Sequence, residues 1–423
     1  MTTFFARRSV EKAFQLDEQP SGLTLNPHKP LKADPPIITS AVDDIMYIVN
    51  KILQQSLATS QIRVVGNVIP TLSRVLGSDF IGMIQRKMRD EYYPRPQVHG
   101  GQPAEHTMIT FLVLINNLDM AVDYMRRIVQ NNSGSDQQLQ LQVPVVQQNT
   151  EDQQETSVPP TPTTATATTT EHLHALFPVL SDALEATHAL QTFQTSFEGK
   201  VNELLSDGIQ VIFNNVIKHR LRPILADAFR DIEYQPRTTT TSDDMYMQSH
   251  DDDDIAEGYY GGSGGDHLID EGTREIVKPR FTNAWTDLLQ PIARILTPST
   301  FDRLLTVTIA YVARLLEKRL WSYHGRVNVL GATRLERDVS GVISAAVDVG
   351  GGGNSSSVVG SGSVVPGRYR HREVFMRCLQ IVLVMGMEDD EWEDVLRGGE
   401  VEEVVDKLSP DERIRARAMV VRR

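Results

Sequence analysis

Cysteine is almost missing from this sequence, and that shortage removes several classes of protein at once. Cys378 stands alone, so no intrachain disulfide can form and no cysteine-rich zinc site can be assembled. A reducing cytosolic setting fits such a chain. Basic charge is also short, with 42 Lys and Arg against 55 Asp and Glu for a formal charge of −13. A chain that coats nucleic acid needs a basic face to release counterions from phosphates, so no nucleic acid is expected as a partner. Long apolar runs are lacking too. The longest, from Phe111 to Ile115 and from Ile381 to Met385, fall far short of the roughly 20 residues that a bilayer-spanning helix needs. Phe4, Phe5, Arg7, Arg8 and Lys12 could begin a basic amphipathic targeting peptide, but Glu11, Asp17 and Glu18 interrupt it and no cleavage signature is clear.

What remains is enough apolar material, 40% of 423 residues, to bury the cores of several helical subdomains. Three low-complexity stretches divide it: residues 132–170 rich in Gln, Thr and Pro, 236–272 acidic and Gly-rich, and 349–367 rich in Gly and Ser. Such compositions bury too little apolar surface to offset their ordering entropy and are expected to be disordered insertions. They separate four blocks: residues 1–131, made of an N-terminal segment 1–36 and a helical bundle 37–131, then a long helical segment 171–235, a bundle 273–348 and a small C-terminal helical lobe 368–423. No fixed-period repeat of the solenoid kind is present.

Between the insertions the apolar spacing is helical, and the expected fold class is all-α. Val42, Ile45, Met46, Val49, Ile52 and Leu53 line one helix face. Ser40 followed by Asp43 resembles a capping box, which starts a helix near Ser40. A second stripe, Ile62, Val65, Ile69, Leu72, Leu76, Phe80 and Ile84, carries Pro70, expected to kink or interrupt it. A third runs from Met108 to Val129, and the three together read as a three-helix bundle. Leu173, Phe177, Leu180, Leu184, Leu190, Phe193 and Phe197 open a long rod-like stripe that reaches Val216, with Pro178 near its start. Shorter helices are expected around Val374 to Met385, Trp392 to Val395, Val401 to Leu408 and Glu412 to Val421, and no sheet.

No constellation suited to catalysis stands out. Asp251 to Asp254 resemble an aspartate-rich magnesium motif, but glycines follow closely and no helix face holds the carboxylates in register, so a solvated loop is expected. Gly350 to Gly353 follow the apolar run Val342 to Val349 without the third glycine of a dinucleotide fingerprint. His172 and His174 would lie on different faces of a helix, and His99 and His106 sit in or beside a loop. Cys378 reads as a buried structural cysteine, and Trp285 and Trp392 as core residues. No catalytic residue, metal ligand or cofactor is assigned.

Long stretches of text carry a family likeness. FFARRSVEKAFQLDE at residues 4–18, PPIITSAVDDIMYIVNKILQQSLAT at 35–59, VLGSDFIGMIQRKMRDEY at 75–92 and TFLVLINNLDMAVDYMRRIV at 110–129 resemble the second half of the subunit 4 family of the conserved oligomeric Golgi complex. The likeness continues more loosely over 301–320 and fades toward the C-terminus. It implies a non-enzymatic tether of the helical-rod class, whose bundles stack into an elongated leg on the cytosolic face of the Golgi. It also implies partners: the other complex subunits, syntaxin-type Golgi SNAREs with their Sec/Munc-type regulators, and Rab GTPases. Membrane association would be peripheral and through those partners, and the work would be retrograde intra-Golgi transport that recycles glycosylation enzymes. The family pattern begins upstream of this chain, so residues 1–36 read as the continuation of a missing region. Asp43, Asp44, Arg86, Lys87 and Arg89 are the candidate protein-contact charges. Another helical-rod tether, such as an exocyst subunit, and an all-helical metal-dependent enzyme are the competing readings.

Overall fold

The computed structural model describes residues 2–95, 103–133, 171–235, 275–348, 366–397 and 400–422. The three expected insertions lie almost wholly outside these residues. The chain divides into two compact units, the first formed by residues 1–212 and 292–301, the second by 213–291 and 302–423.

The first unit contains α1 (Thr2–Gln15), α2 (Ser40–Leu57), α3 (Ile62–Val75), α4 (Gly82–Arg86), α5 (Glu105–Ser133), α6 (Glu171–Leu176) and α7 (Leu180–Ile212). The expected stripe of α2 is buried as read, from Val42 to Leu53. The capping box is not formed. The N-cap position is Thr39, and no side chain of its own caps the helix. The Ser40 hydroxyl accepts instead from the Glu18 amide at 2.9 Å, and the Ala41 amide donates to the Asp17 carboxylate at 3.1 Å. A distant aspartate thus takes over the orphan amide that a local cap would satisfy. Pro70 does not interrupt α3, which continues to Val75. The chain then widens into π turns at Leu76–Ile81 and Lys87–Glu91, on either side of α4.

Residues 37–131 bury more than a three-helix bundle would. α1 packs on α2 and α3, and α7 packs on both α3 and α5. Phe80 stacks between Phe14 of α1 and Phe197 of α7, with ring centroids 6.1 and 6.4 Å apart, each such pair contributing about 0.5–1.5 kcal/mol beyond its burial. α5 was expected to have one apolar face, yet every residue from Phe111 to Leu118 is buried. A helix covered all round is the centre of its bundle. By length and composition α5 could also cross a membrane, which counting uninterrupted apolar runs misses, but 72% of its apolar window is buried inside the fold.

The rod-like stripe breaks at its start. α6 ends before Pro178, and α7 begins in a new phase that buries Ala183 and Ala186 and leaves Leu180 and Leu184 exposed. From Leu190 the reading holds, through Phe193, Phe197, Val201 and Leu204. A Cβ at Gly208 would sit 2.7 Å from the Met88 methyl and 3.3 Å from Ile115, so glycine admits the close approach of α7 to these side chains.

The second unit opens with a π turn at Phe213–Ile217 and holds α8 (Lys218–Ala228), most of α9 (Val277–Ala293) and of α10 (Pro298–Trp321), α11 (Val329–Asp348), α12 (Pro366–Glu373), α13 (Met376–Gly386), α14 (Asp389–Arg397) and α15 (Pro410–Arg417). The apolar run that starts at Val342 is helical as far as Asp348, and Glu400–Val405 is a 3₁₀ helix. The last expected helix stops early. Val420–Val421 forms β2, paired in parallel with β1 (Val327–Asn328), and Tyr234 bridges to Val327 on the same ladder. Strand pairing across such distances leaves no mark on local periodicity. Gly331 is required beside it, because a Cβ there would fall 1.7 Å from the Tyr234 carbonyl oxygen.

Candidate protein-contact surface

The five candidate charges split into three settings. Asp43 and Asp44 are exposed on α2 beside Tyr47. The Asp43 carboxylate accepts from the Tyr124 hydroxyl at 2.7 Å, and this bond, with partial burial, pushes the phenol up to about 12. Arg86 and Arg89 are exposed near the end of the α4 segment, Arg86 folding back on the Gly82 carbonyl and Arg89 on its neighbour Asp90. Lys87 turns inward. Its ammonium lies 3.4 Å from Asp17 and 5.2 Å above the Phe14 ring, with 19% of its side chain exposed. That charge joins the second π turn to the segment after α1, and Asp17 simultaneously holds the first turn of α2.

Other candidate groups are occupied by the fold. The Cys378 thiol faces the Ala313 carbonyl at 3.5 Å, and burial pushes it up to about 12, so it stays protonated and is a poor nucleophile. Trp285 is fully buried and Trp392 half-buried. His106 meets the Tyr92 ring edge-on at 6.1 Å, and His174 is half-buried in α6. His99, Asp251 to Asp254 and Gly350 to Gly353 lie outside the described residues. Sequence reasoning missed one pairing, His371 Nε2 with Asp302 at 2.9 Å, reinforced by Arg370 on the same carboxylate. Its partners are 69 residues apart, beyond any spacing rule. Among the described residues no group of three or more His, Cys, Asp or Glu side chains is arranged to hold a metal.

The sequence profile described as "Conserved oligomeric Golgi complex subunit 4, C-terminal" matches residues 111–415, and that of the "COG4 transport protein, middle alpha-helical bundle" matches residues 1–88. The chain belongs to the conserved oligomeric Golgi complex subunit 4 family. Similar curated proteins are the subunit 4 proteins of Saccharomyces cerevisiae, 21% identical over 99% of this chain, and of Arabidopsis thaliana, 23% identical over 81% of it. The alignments cover 49% and 35% of those proteins, so the chain spans at most about half the length of the relatives it matches. Among solved structures it resembles the C-terminal domain of the exocyst subunit Sec6p, with a TM-score of 0.51, 11% identity and coverage of 99% of this chain and 82% of that one. That likeness shows a shared helical fold.

In the C-terminal lobe, ion pairs fasten the last helices. Arg377 of α13 reaches Glu317 of α10 at 2.8 Å and Glu412 of α15 at 2.6 Å, and also donates to the Lys407 carbonyl. Glu412 completes a capping box with Ser409, whose amide donates to it. The Arg377 bond, followed by the Ser409 amide, draws the Glu412 carboxyl down to about 2. Arg417 and Arg422 converge on Asp389 and the Met387 carbonyl. These pairs tie α10, α13, α14 and α15 together.

Proposed function

We propose that this chain is a non-catalytic component of the conserved oligomeric Golgi tethering complex, acting in retrograde intra-Golgi vesicle transport and supporting glycosylation by returning Golgi enzymes. The carrying observation is the pair of subunit 4 profiles, which together account for most of the sequence from residue 1 to 415. The helical fold shared with an exocyst domain supports a tether as the class of machine. In this reading the partners are the other complex subunits, syntaxin-type SNAREs with their Sec/Munc-type regulators, and Rab GTPases. Association with the cytosolic face of the Golgi membrane runs through those partners. Binding two or more of them at once raises their effective concentration without a chemical step. Asp43, Asp44, Arg86 and Arg89 remain available to such partners, whereas Lys87 acts within the fold.

An affinity pull-down of the tagged chain from its own cells tests the reading. Golgi tether subunits and syntaxins are expected among the co-purifying proteins by mass spectrometry. A soluble, folded bait that recovers neither would overturn it.

A further inference from the structure

The second unit carries a positive groove in a chain whose net charge is −13. Helices α8 and α10 lie side by side within that unit. The Phe213 ring meets Tyr311 edge-on at 5.6 Å, the Lys218 ammonium lies 5.8 Å from the Tyr311 centroid, and further along the Arg319 guanidinium covers Phe229 at 4.8 Å. These contacts run in the same order along α10 and along the segment 213–229, which is α8 with the π turn before it and the residue that caps it, so the two run parallel. Lys218 and Arg222 stand one turn apart on α8, and Arg314 and Lys318 one turn apart on α10; all four are exposed. Lys218 and Phe229 both face α10, and Arg222 falls on the same edge of the helix.

The carboxylates of these helices are already engaged elsewhere. Asp227 pairs with Arg230, Asp302 with Arg370 and His371, and Glu317 with Arg377. No salt bridge among the described residues involves any of the four cations. Half-buried Tyr311 and Leu315, one turn apart, form an apolar floor between the two basic rows.

We propose that the groove between α8 and α10 is the docking site for an acidic amphipathic helix of a partner protein. A third helix, about 10–12 Å across, fits the trough between two adjacent helices and places carboxylates at three- and four-residue spacing opposite both rows. Its apolar stripe meets Tyr311 and Leu315. A flat anionic membrane is the poorer match, because the half-buried floor of Tyr311 and Leu315 lies between the two basic rows, where a helix can reach it and a plane cannot. The inference rests on the tether reading only in that the chain acts by holding other proteins.

The test places a photo-crosslinking amino acid at Leu315 of the full chain in its own cells and sequences the crosslinked peptide. The expected product is a protein segment with Asp or Glu at helical spacing beside an apolar stripe. Its yield should fall about tenfold or more, equivalent to about 1.4 kcal/mol, when Arg222→Glu, Arg314→Glu and Lys318→Glu are combined. Circular dichroism checks that this variant folds, which the exposure of all three residues favours. No protein crosslink, a crosslink to lipid or to a segment lacking that pattern, or an unchanged yield in the charge-reversed chain would each overturn the proposal. Recovery of Golgi tether subunits by the same chain without such a crosslink would overturn the groove and leave the tether reading standing.

Discussion

Replacing Asn116 by leucine should loosen the first unit at one identifiable place. Asn116 is fully buried in α5, and its amide nitrogen donates to the carbonyls of Ile37 at 2.9 Å and Ile295 at 2.7 Å. Its amide oxygen accepts from the Thr297 backbone at 3.0 Å. One side chain thereby fastens both the entry to α2 and the 292–301 segment to the central helix. Leucine has the same branched shape but leaves two buried carbonyls and one part-buried amide without partners, at about 1–3 kcal/mol for each buried group. Its added apolar burial offsets roughly 1.5–3 kcal/mol, so a net loss of about 2–5 kcal/mol is expected once the surroundings relax. A protein of two units does not give one well-defined melting transition. The decisive assay is therefore native-state hydrogen exchange at the Thr297 amide, alongside thermal unfolding by circular dichroism. Protection at Thr297 should collapse, while an exposed control, Tyr47→Ser, should stay within about 0.5 kcal/mol of the parent. Unchanged Thr297 protection in a leucine variant as stable as the parent would refute the argument.

Acid should release the C-terminal lobe through Glu412. A carboxyl held at about 2 against an ordinary 4.5 contributes stability in full above 4.5 and loses it as pH falls toward 2. Glu412→Gln should flatten the acid limb of stability over that window, and an acid limb identical to the parent's would sink the assignment. Cys378 should react with a thiol reagent such as dithiobisnitrobenzoate only after unfolding, since burial holds its thiol near 12; rapid modification of the native chain would contradict this. Gly331→Ala should destabilise the second unit by at least about 1–3 kcal/mol, because the obstacle is the Tyr234 backbone; an unaltered denaturation midpoint would show that the ladder yields easily. Magnesium should leave the thermal unfolding curve unmoved, and a shift to higher temperature that grows with its concentration would point to an ion bound by the native state.

Helices were legible in the sequence because their signal is local. The face of α2 from Val42 to Leu53 repeats within three or four residues, and burial follows that repeat. Which groups complete each other is a different question, answered across the chain. Ser40 and Asp43 have the spacing of a cap, yet the Ala41 amide finds Asp17, 24 residues away, and the Ser40 hydroxyl serves Glu18. Lys87 reads as one of three clustered surface cations until Asp17, 70 residues distant, draws it inward. Asn116 and Asn117 carry a long-range signal in the sequence itself. Two amides inside the apolar run from Phe111 to Leu118 need hydrogen-bond partners wherever that run is buried all round, so they mark where other backbone meets the helix. Leu180 and Leu184 differ in another way, because the helical phase restarts after Pro178 and a stripe continued across it falls on exposed positions.

The same distinction governs charge. A total of −13 argues against nucleic acid but says nothing about any one face. On α8 and α10 the sequence shows acids and bases in mixed order. Folding sorts them: Arg230 takes Asp227, Arg370 and His371 take Asp302, and Arg377 takes Glu317. Each acid of these two helices thus has a partner, and the four exposed charges of the rows beside Tyr311 are all positive. Specific recognition by a tether depends on such residual charge more than on the sum, because a partner helix senses only the groups within a screening length.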